Sequence, residues 1–196
     1  MTTESATQGT SLEPRERILA AAYELFAWRG VRDVGVDEVI ARSGVAKATL
    51  YRHFASKDAL VLAFLEQREQ RWTRGYIEAE ARRRGETAEG RLLAIFDVFD
   101  EWFRRPEEFD ACSFINVLLE MGPGHPLGQA CIAHLGTIRA IVRALAEEAG
   151  LREPGEFAHS WHILMKGSIV SAAEGDADAA RRAKAMARDL IVRYTP

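Results

Sequence analysis

Apolar residues recur along this chain at spacings of three and four, and no segment alternates apolar and polar residues with a period of two. Glycines and prolines interrupt these stripes, most clearly at Gly30, Gly44, Pro106 and Gly150. Between the interruptions the chain is rich in alanine, glutamate, arginine and leucine, which favour helix. The pattern predicts an all-α fold of about nine helices.

The order of these helices predicts two domains that follow a short arm. Residues 1–13 are polar, and we expect them to form a disordered N-terminal arm. Residues 14–60 contain three short helices, which is a small head, and residues 61–196 form a larger helical body. A long fourth helix, capped by Ser56 and weakened at Gly75, is expected to connect the two.

Composition narrows the class of protein further. No window approaches eighteen uncharged apolar residues, and the first residues lack the apolar core of a signal peptide. We therefore expect a cytoplasmic protein that has no membrane partner. The two cysteines, Cys112 and Cys131, fit a reducing compartment better than a disulfide scaffold.

Charge is distributed unevenly although the net charge is only −3. Residues 39–57 contain four basic residues and no acid: Arg42, Lys47, Arg52 and Lys57. A local basic strip on an acidic protein is sufficient for a small DNA-docking surface.

Residues 36–57 fit a helix-turn-helix, in which two short helices flank a tight turn. Gly44 can adopt the left-handed conformation that the turn requires. Val39, Val45 and Leu50 supply a shared core, which leaves the polar side chains of the second helix to face outward. Such a face offers charges, hydroxyls and an imidazole to phosphates and base edges.

The order of residues over 14–62 resembles the DNA-binding domain of the tetracycline-repressor (TetR) family. The resemblance rests on Ile18-Leu19-Ala20-Ala21-Ala22, on the run from Gly44 to Phe54, and on Ser56-Lys57-Asp58-Ala59-Leu60. It implies that Thr49, Tyr51 and Lys57 bind backbone phosphates, that Lys47 reads bases, and that His53 contacts or packs beside a phosphate. The predicted DNA-binding residues are Arg42, Ala46, Lys47, Ala48, Thr49, Tyr51, Arg52, His53 and Lys57.

Three positions depart from the family pattern. Gly35 stands where Ser or Thr usually precedes the second helix, Ile40 replaces a small alanine, and Ala46 replaces a frequent serine cap. Loss of a side-chain cap costs about 0.5–2 kcal/mol. The departures predict less stable helix starts and leave the DNA face in place.

A ligand pocket is the second candidate site. Aromatic residues are dense over 96–114, and the resemblance implies that the helices of this region enclose a pocket. A pocket of roughly 300–1,000 Å³ lined by such groups would suit a flat or apolar ligand. Asn116 and Glu120 lie one turn apart on an otherwise apolar helix, where a ligand or a neighbouring helix could be their partner. The predicted ligand-binding residues are Phe96, Phe99, Trp102, Phe114, Asn116 and Glu120; ordinary core packing is the alternative for the aromatic ones.

Histidines and cysteines give no firm site. His159 and His162 lie three residues apart on one helix, but no cysteine pair or acidic cluster accompanies them, so surface or interface roles are favoured and no metal is predicted. Cys112 is expected to be a buried structural thiol rather than a redox sensor. No motif for a cofactor or a catalytic centre is present, so no cofactor and no catalytic residue are predicted.

The last two helices resemble the dimerisation bundle of the family, and two apolar stripes predict that they meet their twins in a homodimer. The predicted interface residues are Phe157, Trp161, Leu164, Met165, Ser168, Ala172, Ala183, Met186, Ala187, Leu190 and Ile191.

Together these features predict a transcriptional regulator. Its partners are double-stranded operator DNA, a second copy of the chain and a small, mainly apolar effector of unknown identity. Repression that the effector relieves is implied by the resemblance alone, and activation stays open. An enzyme without a recognisable motif and a DNA-bound dimer without a ligand are the competing classes.

Overall fold

A computed structural model of the protein describes residues 12–196, and these residues are helical with no strand. The predicted all-α fold is confirmed. Of the predicted arm, 1–13, all but Leu12 and Glu13 lie outside the described residues. The helices are α1 Pro14–Arg29, α2 Val36–Ser43, α3 Lys47–His53, α4 Lys57–Arg68, α5 Ala79–Arg84, α6 Ala88–Phe103, α7 Ser113–Met121, α8 Pro126–Glu148, α9 Pro154–Ala173 and α10 Ala179–Tyr194.

A π-helical segment, Glu69–Glu78, joins α4 to α5 without a break, so a single helical rod runs through all three. The amide of Ala79 donates to the carbonyl of Arg74, five residues earlier, which is the π-helical pattern. Gly75 lies inside this segment, and a Cβ atom built there would stand 2.9 Å from the carbonyl oxygen of Gln70. The weak point that the sequence places at Gly75 is therefore a place where the helix is wound more loosely.

The chain divides into two compact units between Phe64 and Leu65, four residues beyond the boundary expected from the sequence. In the first unit α1 packs on α2 and α3. The fully buried side chains of Ile18, Val39 and Leu50 lie in its core. Phe64, at the end of the unit, meets the ring of Phe26 edge-on at a centroid distance of 5.8 Å.

The second unit, Leu65–Pro196, has a larger core that α6, α8, α9 and α10 share. Aromatic side chains dominate it: Phe96 contacts Trp161 at a ring-centroid distance of 5.2 Å, and Phe157 contacts Trp161 at the same distance. All three are at most 1% exposed. The apolar faces of α9 and α10 thus lie largely inside their own chain.

This burial bears on the predicted dimer interface, because a residue in the core of its own chain has little surface left to offer a twin. Leu164, Ala172 and Leu190 are half-buried, and only Met186 among the predicted residues is clearly exposed, at 58%. The stripes on α9 and α10 were assigned to a partner, whereas within the chain α9 packs on α8 and α10, and α10 packs on α6 and α9. The predicted interface residues that lie in the core are Phe157, Trp161, Met165, Ser168, Ala183, Ala187 and Ile191.

No helix within residues 12–196 is both long enough and apolar enough to cross a membrane.

Candidate functional site

The turn between α2 and α3 has the geometry that the sequence predicts. Gly44 ends α2 in the left-handed region, with φ 64° and ψ 29°. Its amide donates to the carbonyl oxygen of Ile40 at 3.0 Å, and α3 begins three residues later. A side chain at this position would be strained, so glycine fixes the angle between the two helices.

Arg17 of α1 holds this turn from outside, a role that the sequence analysis missed. Its guanidinium donates to the carbonyl oxygen of Ser43 at 2.7 and 3.1 Å and to that of Gly44 at 2.7 Å. These carbonyls stand at the C-terminal end of α2, where the helix leaves them without backbone partners. One arginine therefore satisfies the end of α2 and ties it to α1.

The starts of α2, α3 and α4 differ in their caps. Neither Gly35 nor Ala46 makes a side-chain cap bond, but the amide of Gly35 donates to Oε1 of Glu38 at 3.0 Å, so one amide at the start of α2 is satisfied from within the helix. Oγ of Ser56 accepts a hydrogen bond from the amide of Ala59 at 3.1 Å, as predicted for the start of the fourth helix. Lys57 is thereby held at the first turn of α4.

All nine predicted DNA-binding residues reach the surface of the first unit. Thr49 and Lys57 are half-buried, and the other seven are exposed. Leu50, which points the opposite way from α3, is fully buried. The helix therefore presents small, hydroxyl and basic groups on one side while its apolar side anchors it.

Two of the basic residues on this surface already have acidic partners. Nζ of Lys47 lies 3.1 Å from Oδ1 of Asp37, and Nε of Arg42 lies 2.7 Å from Oε2 of Glu24. The hydrogen bond to Asp37 raises the pKa of Lys47. Exposed ion pairs of this kind are weak, so phosphates can replace the carboxylates.

A cavity of about 50 Å³ lies within the second unit. The π-helical segment, α6, α8 and α9 supply most of its wall, which is largely apolar. Three of the six predicted ligand-binding residues line it: Phe99, Trp102 and Phe114. The cavity is smaller than the roughly 300–1,000 Å³ expected from the sequence. It has room for a few waters, whereas a ring the size of benzene needs about 150 Å³, so the cavity must widen to take one.

Arg68 and Asp110 form a buried ion pair beside this cavity. The two guanidinium nitrogens of Arg68 each lie 2.8 Å from a carboxylate oxygen of Asp110, and the side chains are 5% and 3% exposed. Arg68 also lies over the ring of Trp72 at 4.9 Å. Burial raises the pKa of the Asp110 carboxyl, and the charge of Arg68 acts in the opposite direction.

Comparison with known proteins identifies the architecture. The model of the tetR family of bacterial regulatory proteins matches residues 18–64. The solved structure of SCO4454, a TetR-family transcriptional regulator from Streptomyces coelicolor, is 28% identical with a TM-score of 0.84, covering 93% of this chain and 96% of that one. Residues 18–64 therefore match the TetR family, and the described chain shares its fold with a TetR-family regulator. The predicted family is thereby confirmed, and its members are regulators rather than enzymes.

Curated relatives of this TetR-family chain resemble it in the helix-turn-helix region. The HTH-type transcriptional activator FasR of Mycolicibacterium smegmatis is 47% identical over 55 residues, which are 28% of this chain and 25% of FasR. The HTH-type transcriptional regulator SrpR of Pseudomonas putida is 37% identical over 57 residues, 29% of this chain and 27% of SrpR. The matched region thus spans about a quarter of the length of these relatives.

The remaining three predicted ligand residues lie outside the cavity. Phe96 is in the core beside Trp161, Asn116 is exposed, and Glu120 is half-buried without lining the cavity. Asn116 and Glu120 lie on the side of α7 away from Phe114, which faces the cavity. Their position on an apolar helix therefore marks the edge of that helix rather than a ligand site.

Two further residues lie close to the cavity in the sequence: Ala111 has a strained backbone and Val117 is buried. Ala111, which lines it, has φ 55°, a conformation that costs free energy for any residue with a Cβ atom. Val117 is buried but does not contribute to the wall. The chain is thus bent sharply between Asp110 and Cys112, which brings both next to Arg68.

Two histidines have structural partners, and both cysteines have a raised thiol pKa. Nδ1 of His125 accepts a hydrogen bond from the amide of Leu127 at 3.2 Å, and His134 pairs with Glu69. Burial raises the pKa of the Cys112 thiol and raises that of Cys131 to about 12. Across residues 12–196, no three metal-ligating side chains lie together.

Proposed function

We propose that this chain is a ligand-responsive transcriptional repressor that binds a palindromic operator as a homodimer and leaves it when a small, mainly apolar effector binds. The observation that carries the proposal is the surface of α3. That surface presents hydroxyl and basic side chains on a helix-turn-helix whose angle Gly44 and Arg17 fix. Cytoplasmic location follows from this role.

The proposed DNA contacts divide by chemistry. Thr49, Tyr51 and Lys57 are assigned to backbone phosphates, which set the position of the head on DNA. Lys47, Arg52 and Arg42 are long basic side chains within reach of base edges or further phosphates. Ala46 and Ala48 present only methyl groups at the start of α3, which allows close approach to the groove.

A binding experiment tests this assignment. Thr49→Ala, Tyr51→Phe and Lys57→Ala are each expected to weaken operator binding while the size of the assembly stays the same. Lys57→Ala should also flatten the dependence of log Kd on log salt by about 0.9 per head, because one phosphate contact is lost. Unchanged affinity in all three variants would refute the assignment.

The proposed dimer uses an exposed face of α9 and α10 that keeps Leu164, Met186 and Leu190 of the interface predicted from sequence and adds residues beside them. Ile163 and Val170 on α9 are 68% and 51% exposed, and Met186 on α10 is 58% exposed. Half-buried Leu164 and Leu190 stand beside them and line a shallow groove. Large exposed apolar side chains on two neighbouring helices are typical of a surface that binds a partner protein.

Light scattering distinguishes this face from the core stripe. Ile163→Glu should give a folded monomer, because the residue is exposed in the single chain. Trp161→Glu should unfold the second unit, since it places a carboxylate in the core. Leu119→Glu, on exposed Leu119 of α7, is the matched control and should remain a dimer. A monomeric unmodified chain at micromolar concentration would contradict the proposal.

The helical rod from α4 to α5 offers a route from effector to DNA. Lys57 begins it, and Arg68, Trp72 and Thr73 of the same rod line the cavity. An effector that favours one arrangement of the rod by about 1–3 kcal/mol changes DNA affinity by about 5–150-fold. The filling variant Ala81→Leu is expected to block the effector and to preserve operator binding.

Activation is the alternative mode of regulation, because the relative FasR is named a transcriptional activator. A reporter gene behind the operator separates the two modes. Higher expression after deletion of the regulator supports repression, and lower expression supports activation.

A further inference from the structure

Two buried polar atoms of cavity-lining residues have no hydrogen-bond partner in the described part of the chain. They are Oγ1 of Thr73, on the π-helical segment, and Nδ1 of His162, on α9. Each residue is only 3% exposed. Buried polar groups are nearly always paired, so two orphans in one cavity wall indicate a missing ligand that carries hydrogen-bonding atoms.

Among the charged side chains of residues 12–196 that line the same cavity, one cation lacks an acidic partner. The carboxylate of Glu78 pairs with Arg82 at 3.3 Å, and Arg68 pairs with Asp110. Lys166, one helical turn beyond His162 on α9, also lines the cavity. Within residues 12–196 it has no acidic partner and no hydrogen bond.

Within residues 12–196, every charged group that acts on His162 is basic. Burial, together with the charges of Lys166, Arg139 and His159, lowers the pKa of His162 to about 3. Burial and Arg139 also lower the pKa of Lys166. The imidazole is therefore neutral and can donate from Nδ1, and this end of the cavity has a positive potential that no carboxylate offsets.

We infer that the effector is a small apolar monocarboxylate whose carboxylate lies among Thr73, His162 and Lys166 and whose apolar body lies against Phe99 and Trp102. This inference rests on the proposed function. A carboxylate accepts hydrogen bonds from both orphaned groups and neutralises Lys166. A neutral amide leaves Lys166 without a counter-ion, and an ammonium is repelled by it. The cavity is small, and even a body of one ring requires its walls to move apart, so a larger body is disfavoured.

Three probes of one size and different charge test the inference: benzoate, benzamide and benzylammonium. Binding is followed by calorimetry and by tryptophan fluorescence, since Trp72 and Trp102 line the cavity. Benzoate is expected to bind about tenfold more tightly than benzamide, and benzylammonium least tightly. Equal affinity for benzoate and benzamide, preference for benzylammonium, or no binding of benzoate at millimolar concentration would overturn the inference.

Variants of α9 and the π-helical segment locate the carboxylate. Lys166→Met should remove about tenfold in benzoate affinity and leave benzamide unchanged, and Lys166→Arg should restore the preference. Thr73→Val should weaken both probes. Lys184→Met is the control, because Lys184 pairs with Asp97 and does not line the cavity. Loss of benzoate binding in Lys184→Met as in Lys166→Met would contradict the assignment.

The same titrations in the presence of operator DNA separate this inference from the proposed function. If benzamide binds as tightly as benzoate and also releases DNA, the carboxylate class is wrong and the regulator role stands. If benzoate binds in the cavity with the expected preference and DNA stays bound, the effector class stands and release by this ligand is wrong.

Discussion

The two units place their functional groups in opposite ways. In the first unit the candidate DNA contacts stand on the surface, and different residues, such as Leu50, make the core beneath them. In the second unit Phe99 and Trp102 are both core and cavity wall. Stability and function are therefore separable in the first unit and coupled in the second.

The largest loss of stability is expected in the second unit, where stability and function are most tightly coupled. The site of this coupling is the buried ion pair of Arg68 and Asp110. Arg68→Met leaves the Asp110 carboxylate buried without its partner, which should lower the free energy of unfolding by about 3–5 kcal/mol. Denaturant unfolding followed by circular dichroism measures this loss, and the same variant should lose affinity for benzoate.

The double variant Arg68→Met/Asp110→Leu is the control for that prediction. It removes both charges and should recover most of the stability, because no unpaired charge remains buried. If the double variant is as unstable as the single one, packing of the Arg68 stem on Trp72 rather than the ion pair holds this region.

A smaller effect is expected in the first unit, at Arg17. Arg17→Met removes three hydrogen bonds to the carbonyls of Ser43 and Gly44 and should destabilise the turn by about 1–3 kcal/mol. Amide hydrogen exchange of peptides over 36–53 should accelerate about tenfold for each 1.4 kcal/mol. Operator affinity should fall as well, because α3 loses its fixed angle.

Arg52→Met is the matched control for Arg17→Met, since Arg52 is exposed on α3. It should weaken DNA binding and leave hydrogen exchange unchanged. If Arg52→Met also accelerates hydrogen exchange, an exposed DNA-binding residue would contribute to the stability of the first unit. Stability and function would then not be separable there.

The sequence predicted the first unit well because a helix-turn-helix is specified by neighbours in the chain. The left-handed Gly44, the cap at Ser56 and the outward face of α3 all depend on local spacing. The role of Arg17 was missed because its partners are backbone carbonyls 26 and 27 residues away. The helical spacing of apolar residues contains no information about such a contact.

The second unit was predicted less well because helical periodicity gives an apolar face and not the identity of its partner. The stripes through Trp161 on α9 and Ile191 on α10 were assigned to a twin chain, and α6, α8 and the two helices themselves bury much of them within the same chain. Among the aromatic residues of α6, Phe96 lies in the core away from the cavity, whereas Phe99 lies in the core and also lines the cavity. His162 and Lys166 could not be linked to the pocket without knowing which turn of α9 faces it.

The smallest effect on stability, and the sharpest test of how the two units communicate, is expected from Gly75→Ala. A Cβ atom at this position would stand 2.9 Å from the carbonyl oxygen of Gln70, closer than real Cβ atoms approach, so the π-helical winding has to change. Alanine also favours α-helix over glycine by about 1 kcal/mol, which offsets the cost of the rearrangement. We therefore expect a change of at most about 1 kcal/mol in the free energy of unfolding. Rewinding the segment rotates Thr73 relative to His162, so benzoate affinity should fall several-fold.

Gly136→Ala on α8 is the matched control for Gly75→Ala. A Cβ atom at Gly136 is 3.6 Å from its nearest neighbour, so this variant should leave benzoate binding intact. If both alanine variants bind benzoate like the unmodified protein, the π-helical winding is not needed to hold the cavity, and the route from effector to DNA must lie elsewhere in the second unit.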